Sequence, residues 1–144
     1  MSEIESEPDL SSLVSLAPEI SELNAPFWEG LSAGEVRLQH CNACDTHQYP
    51  PETFCYACGS TDLDWRAVKG EGEVYSFVVV HRSPNQAFKA FEPYTVAIVQ
   101  MDEGPRMLSA MLSLEQPIEI GARVRPAITA LDSERSVLMY EPVG

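Results

Sequence analysis

Basic residues are scarce in this chain, and the first 36 residues contain none. Nine Lys and Arg face 22 Asp and Glu, for a net charge of −13. Nonspecific binding to DNA or RNA relies on clustered cations that displace counterions from a polyanion. This balance therefore argues against a nucleic-acid partner. The shortage is also uneven: residues 1–36 carry eight acids, whereas residues 37–144 carry fourteen acids against nine bases, a net charge of −5. Most of the acidity belongs to an N-terminal extension. Long hydrophobic runs are missing too, and no apolar stretch reaches the roughly 20 residues that span a bilayer. Met1 to Asp9 lacks the basic-then-apolar order of a secretory signal, so a cytoplasmic protein with no membrane partner is expected. Neither the P-loop pattern nor G-x-G-x-x-G is present, and no serine sits in a G-x-S-x-G context.

Cysteine is limited to four residues, and their spacing is the clearest signal in the chain. Cys41-x2-Cys44 and Cys55-x2-Cys58 are two knuckles separated by ten residues. Each pair can chelate one ion from a tight turn, and the loop between brings the pairs together. Four thiolates in a tetrahedron suit Zn2+, which imposes no ligand-field geometry and accepts soft donors. Iron in a rubredoxin-like site uses the same ligands and is the alternative. A catalytic zinc keeps an open position, whereas four sulfurs close the shell and leave His40 and His47 surplus. A structural metal is expected, with no catalytic role for it. Using all four thiols also removes every cysteine nucleophile.

The remaining pattern predicts a mainly β chain. Leu10, Leu13, Val14 and Leu16 can form one short helical face ahead of Pro18. Asn24 as a cap, Pro26 in the first turn and Gly34 as a stop predict a helix over 25–33. Val36 to His40 reads as a strand leading into the cysteines, and Pro50-Pro51 excludes a central strand there. Five further strands are expected over 73–82, 94–102, 106–113, 123–131 and 137–143, with Ser83 to Pro93 as a loop. Five short strands with no helix of helical periodicity between them predict a small β-barrel. Strict alternation along the first places Val74, Ser76, Val78 and Val80 on one face and Tyr75, Phe77, Val79 and His81 on the other. Both sets are largely apolar, so both faces are expected to be covered. The expected organisation is an acidic, partly disordered extension over 1–24, a helix and lead-in strand over 25–39, a zinc ribbon over 40–66 and a barrel over 67–144.

Other functional candidates are weaker. His81 ends a strand beside Arg82 and Ser83 without a catalytic context. Arg123 and Arg125 point to one side of a strand and are candidates for holding the phosphates of an acyl-CoA, against the plain reading of solvated surface charge. Phe27 and Trp28 either pack on the rest of the chain or dock on a partner subunit, and Phe88, Phe91 and Tyr94 form a second aromatic candidate. Small barrels can also bind single-stranded nucleic acid through stacked aromatics, and Tyr75, Phe77 and Tyr94 are the residues for that alternative.

The order APFWEGL, CNAC, YPPETFCYACGS, Trp65, GEGEVYSFVVVHR, PYTVAIV and IGARV resembles the family of OB-fold proteins with a rubredoxin-like zinc ribbon, over about residues 25–144. The resemblance implies a helical N-terminus, the ribbon and then a five-stranded OB barrel. It also implies an acyl-CoA-associated accessory subunit without catalytic residues of its own, bound in a hetero-oligomer to a thiolase or a thiolase-like retro-aldolase, with enoyl-CoA hydratase as a further associate. A similar domain supports a retro-aldolase in steroid side-chain degradation. The acidic extension lies outside the match.

Overall fold

The structure is a computed structural model and describes residues 10–16, 19–111, 114 and 117–143. The expectation for the tail Met1 to Asp9 lies outside these residues. A 3-10 turn spans Ser11–Leu16, and helix α1 spans Ala25–Ser32. Pro26 sits in the first turn of α1, where a missing N–H costs nothing. Asn24 does not cap with its side chain. Its Oδ1 instead accepts the Ser21 N–H at 2.7 Å, and its amide donates to the Glu19 carbonyl. The helix ends as Gly34 turns to a φ of 84°, a conformation that suits a residue without Cβ. No helix among the described residues is long and apolar enough to cross a membrane.

The ribbon is built on a small antiparallel sheet. Its strands are β1 (Val36–Cys41), β2 (His47–Gln48) and β3 (Leu63–Val68), in the order β2-β1-β3. β1 pairs along its whole length with β3, from Val36 opposite Val68 to Cys41 opposite Leu63. β3 is absent from the sequence expectation, and it joins the lead-in strand and the start of the barrel segment into the ribbon sheet.

The barrel sheet has the order β6-β5-β4-β7-β8 and is antiparallel throughout. Its strands are β4 (Gly72–Val80), β5 (Tyr94–Met101), β6 (Arg106–Met111), β7 (Arg123–Ala130) and β8 (Ser136–Pro142). The five strands fall where expected. Residues 112 and 113 of the expected third strand lie outside the described residues. β6 approaches β8 across the remaining gap, where Ser109 Oγ donates to the Leu138 carbonyl at 3.2 Å. Pro126 is tolerated in β7 because the pairing of β4 with β7 stops after Gly72–Val124 and Glu73–Arg123, so no β4 carbonyl needs its N–H. The expected loop 83–93 instead holds a 3-10 helix over Gln86–Phe91, started by the Asn85 side chain, which accepts the Ala87 N–H at 2.8 Å.

The parity expected for β4 is corrected by a bulge. Val74 pairs with Val99 and Ser76 with Ile98, so Tyr75 is an extra residue. After it the faces exchange: Val74 and Phe77 both join the interior, while Ser76 and Val78 face outward. Among the described residues, Phe88 covers the outer face only at Tyr94, and the rest of it stays open. Val78 is 60% exposed, Leu108 69% and Tyr75 48%.

One core joins all three parts. Phe27 and Leu31 from α1, Val36 and Leu38 from β1, and Val74, Val99 and Met101 from the barrel belong to a single buried cluster. A second, smaller cluster lies where Leu10, just before the first 3-10 turn, and Leu13 within it pack over Leu131, Phe88 and Phe91.

Candidate metal centre and partner surface

The two cysteine knuckles have the same backbone construction. In the first, Cys41 N–H donates to the Thr46 carbonyl and the Cys41 carbonyl accepts from Asp45 N–H, both at 2.8 Å. In the second, Cys55 N–H donates to the Ser60 carbonyl at 2.8 Å and its carbonyl accepts from Gly59 at 2.9 Å. The fourth residue after each leading cysteine takes a positive φ, 63° at Asp45 and 79° at Gly59. Glycine meets this requirement freely. Asp45 meets it with an acidic side chain tied down, since its Oδ1 lies 2.6 Å from Nε2 of the buried His40. That imidazole holds the Asp45 carboxyl below its ordinary range.

These turns bring the four sulfurs within 4.8 Å of one another. Cys41 Sγ lies 3.6 Å from Cys58 Sγ, and Cys44 Sγ lies 3.6 Å from Cys55 Sγ. A tetrahedron with Zn–S bonds of about 2.3 Å has edges of about 3.8 Å, so the donor set fits. The electrostatics also call for a cation. The Cys58 and Ala57 N–H groups pull the Cys55 thiol down to about 6. The Ser60 N–H pulls Cys58 down as well, but the sulfurs of Cys41, Cys44 and Cys55 outweigh it and push that thiol up to about 12. Four thiolates at this spacing repel unless a metal neutralises them. Bound there, the metal would supply a crosslink between the knuckles. His40 and His47 stand outside the sulfur cluster, their rings 5.0 Å apart.

Sequence reasoning missed two residues that shape the ribbon. Gln39 and Gln48 are buried opposite each other on β1 and β2. Gln39 Oε1 accepts from Gln48 Nε2 and from the Glu52 N–H, both at 2.9 Å, and its amide donates to the Glu52 carbonyl at 2.9 Å. Gln48 donates to the Phe54 carbonyl at 3.0 Å and accepts the Tyr56 N–H at 2.9 Å. Two side-chain amides thus satisfy the backbone of the proline-rich loop, which cannot pair as a strand. Their one sequence signal is a pair of uncharged amides flanking the first knuckle. Gln48→Leu is expected to orphan the Tyr56 N–H and the Phe54 carbonyl, both only partly buried, and to cost about 2 kcal/mol, roughly 1 for each group left unpaired; a denaturant melt at saturating zinc measures it.

The other candidates separate on burial and pairing. Phe27 and Tyr94 are only 3% and 8% exposed and pack within this chain, which for Phe27 is the first of its two expected readings. Phe27 meets Trp28 edge-on and Tyr49 at a tilt, and Tyr94 stacks on Phe88 at 5.1 Å. Trp28, Phe88 and Phe91 are half-buried. Of the three aromatics considered for nucleic-acid stacking, Phe77 turns inward and Tyr94 is buried, while the exposed Tyr75 already carries the Arg106 guanidinium 3.8 Å above its ring. Arg123 is held by both oxygens of Asp102, at 3.0 and 2.7 Å, and Arg125 by Glu141 at 2.7 Å. The two arginines share a face but each already faces a carboxylate. The uncovered outer sheet face forms rows. Ser76, Ile98 and Leu108 are aligned across β4, β5 and β6, with Val78, Val96 and Ala110 in the next outward row.

Comparisons with known proteins agree with this architecture. The family model described as the ChsH2 rubredoxin-like zinc ribbon domain matches residues 28–64, and that of the ChsH2 C-terminal OB-fold domain matches residues 65–129. A chain of the solved structure titled "Ltp2-ChsH2(DUF35) aldolase" is 35% identical, with a TM-score of 0.77 over 88% of this chain and 98% of that one. A probable enoyl-CoA hydratase alpha subunit of Thermomonospora curvata is 35% identical over 87% of this chain and 39% of its own length. The 3-oxo-4,17-pregnadiene-20-carboxyl-CoA hydratase alpha subunit of Mycobacterium tuberculosis is 31% identical over 93% of this chain and 42% of its own length. This chain therefore spans about two fifths of those two curated relatives. A DUF35 domain-containing scaffold protein of Methanocaldococcus jannaschii is 28% identical over 69% of this chain and 73% of its own length. With the ribbon and the barrel both matched in order and over most of the chain, it belongs to the DUF35 family, as a ChsH2-type zinc ribbon and OB-fold protein.

Proposed function

We propose that this chain is a non-catalytic accessory subunit that docks on a thiolase-like acyl-CoA enzyme, a thiolase or a retro-aldolase, and supports its acyl-CoA site. The uncovered apolar face of β4, β5 and β6 carries this reading. Val78 and Leu108 stand on it at 60% and 69% exposure, in a chain whose other large clusters are buried. Apolar surface of this kind marks interaction sites. An aldolase partner is supported by the Ltp2-ChsH2 aldolase to which the 35%-identical chain belongs, and an accessory role by the archaeal relative named as a scaffold protein. The pregnadiene-carboxyl-CoA named for the mycobacterial relative supports a steroid side-chain substrate for the complex, and the two hydratase subunits support an enoyl-CoA hydratase as a further associate. The complex would act in the cytoplasm, where thiolates stay reduced. Trp28, Phe88 and Phe91 remain candidates for the rim of the interface, and Arg123 and Arg125 for acyl-CoA phosphates if Asp102 and Glu141 release them.

Co-expression with a thiolase-like aldolase resembling that of the matched complex tests the docking. Co-elution as one hetero-oligomer on size exclusion is expected. Separate elution of two folded proteins at micromolar concentration would count against it.

A further inference from the structure

The loop between β4 and β5 lies over one end of the outer sheet face as a lid. Phe88 of its 3-10 helix stacks on Tyr94, with the rings 5.1 Å apart and 21° from parallel. Tyr94 pairs with Val80, two residues along from the outward pair of Val78 and Val96, so it closes that end of the face. Under the lid it is only 8% exposed. The lid itself is lightly held. No residue of Gln86–Phe91 is buried. Several of the loop's hydrogen bonds stay inside it: Asn85 Oδ1 accepts the Ala87 N–H at 2.8 Å, and the Glu92 carboxylate accepts the Ser83 N–H. A short 3-10 helix has poor hydrogen-bond geometry of its own, so its place on Tyr94 depends on what it packs against.

The N-terminal segment supplies that restraint. A spacing of three residues puts Leu10 and Leu13 on one side of a 3-10 turn, and they are buried to 2% and 8% exposure. They pack with Ala87, Phe88 and Phe91 of the lid, and with Leu131, just after β7, and Val137 and Met139 of β8. Between the two leucines, Ser12 Oγ donates to the Ala87 carbonyl at 2.8 Å. The segment thus ties the lid to the β7–β8 side of the barrel. Short segments near a chain terminus, held by few buried contacts, open at low cost compared with a core.

We infer that residues 10–14 act as a strap that holds the lid closed over the Tyr94 end of the outer face. With the strap seated, Tyr94 is withheld from that face. With the strap released, the lid lifts and the apolar surface extends to Tyr94 and Val80. The strap packs on the β7–β8 side, so an event at the N-terminal segment reaches the outer face through the lid. The device stands whether or not the face docks on a thiolase-like enzyme.

The test uses the zinc-loaded full chain, with Leu10→Ser and Leu13→Ser combined to release the strap. Lys89 stands exposed in the lid, so trypsin cleavage after it reads how often the lid opens. That cut is expected at least about tenfold faster than in wild type, while Arg106 and Arg123 in the barrel strands keep their resistance. In the same variant the Tyr94 ring resonances, shifted in wild type by the stacked Phe88 ring, should move toward their free positions. Ser12→Ala, which removes the hydrogen bond to Ala87 and leaves the leucines, should accelerate the Lys89 cut by a smaller factor. If the double variant fails to fold, the Ser12→Ala rate decides alone. An unchanged Lys89 rate, an equal rise at Arg106 and Arg123 in a folded variant, or a Tyr94 ring that keeps its wild-type shift would each overturn the inference.

Discussion

Cys44→Ser is expected to release the metal and to unfold the ribbon and the barrel together. A structural zinc in such a site contributes roughly 10–16 kcal/mol of apparent free energy at neutral pH. Whole-domain stability is only about 5–15 kcal/mol. The ribbon loop itself buries little that would replace the metal, since Phe54 and Tyr56 at its tip are 45% and 51% exposed. The loss spreads because the ribbon has no core of its own. Leu38, fully buried on β1, belongs to the same cluster as Val74 and Val99 in the barrel. Thermal unfolding followed by circular dichroism, with zinc measured in the same samples, should show a single transition falling below ambient temperature in the variant and in chelator-treated wild type. A metal-free protein that keeps the wild-type melting curve would remove the structural role assigned to the four cysteines.

Val78→Asp with Leu108→Asp is expected to abolish partner binding while leaving the isolated fold intact. Both side chains point to solvent from the outer face, so substitution there moves stability by about 1 kcal/mol or less, mostly through strand propensity. In a complex the same positions would lie at the centre of the contact. Truncating a central anchor costs about 2 kcal/mol or more, and an unpaired carboxylate adds its desolvation. The pair should therefore weaken association by roughly 1,000-fold or more. Titration calorimetry with the purified partner, beside a melt of each variant, separates the two effects. A variant that binds like wild type would move the docking surface elsewhere.

The parts of this molecule that were legible in its sequence are those where chemistry or turn geometry dictates spacing. Metal ligation requires the two Cys-x2-Cys pairs, and short apolar runs bounded by turn residues located the five barrel strands. β3 was not legible because Leu63 to Val68 is short and directly follows the second knuckle with no buried residue, and its partner β1 lies more than twenty residues away. The bulge at Tyr75 has no signature, since no glycine marks it, yet it decides which face of β4 is exposed. Aromatic residues were equally ambiguous. Phe27 and Tyr94 serve as well in a core as in an interface, and only burial separates them from Tyr75. The ion pairs of Arg123 and Arg125 depend on Asp102 and Glu141 reaching them across strands and turns, which linear spacing does not reveal.

The most direct measurement of the accessory role is turnover by a thiolase-like aldolase partner, alone and with this chain added. With a β-hydroxyacyl-CoA substrate, this chain by itself should show no cleavage, and the partner's rate should rise at least about tenfold, saturating at a fixed ratio of the two chains. An equal rate with and without this chain, or cleavage by this chain alone, would contradict the account.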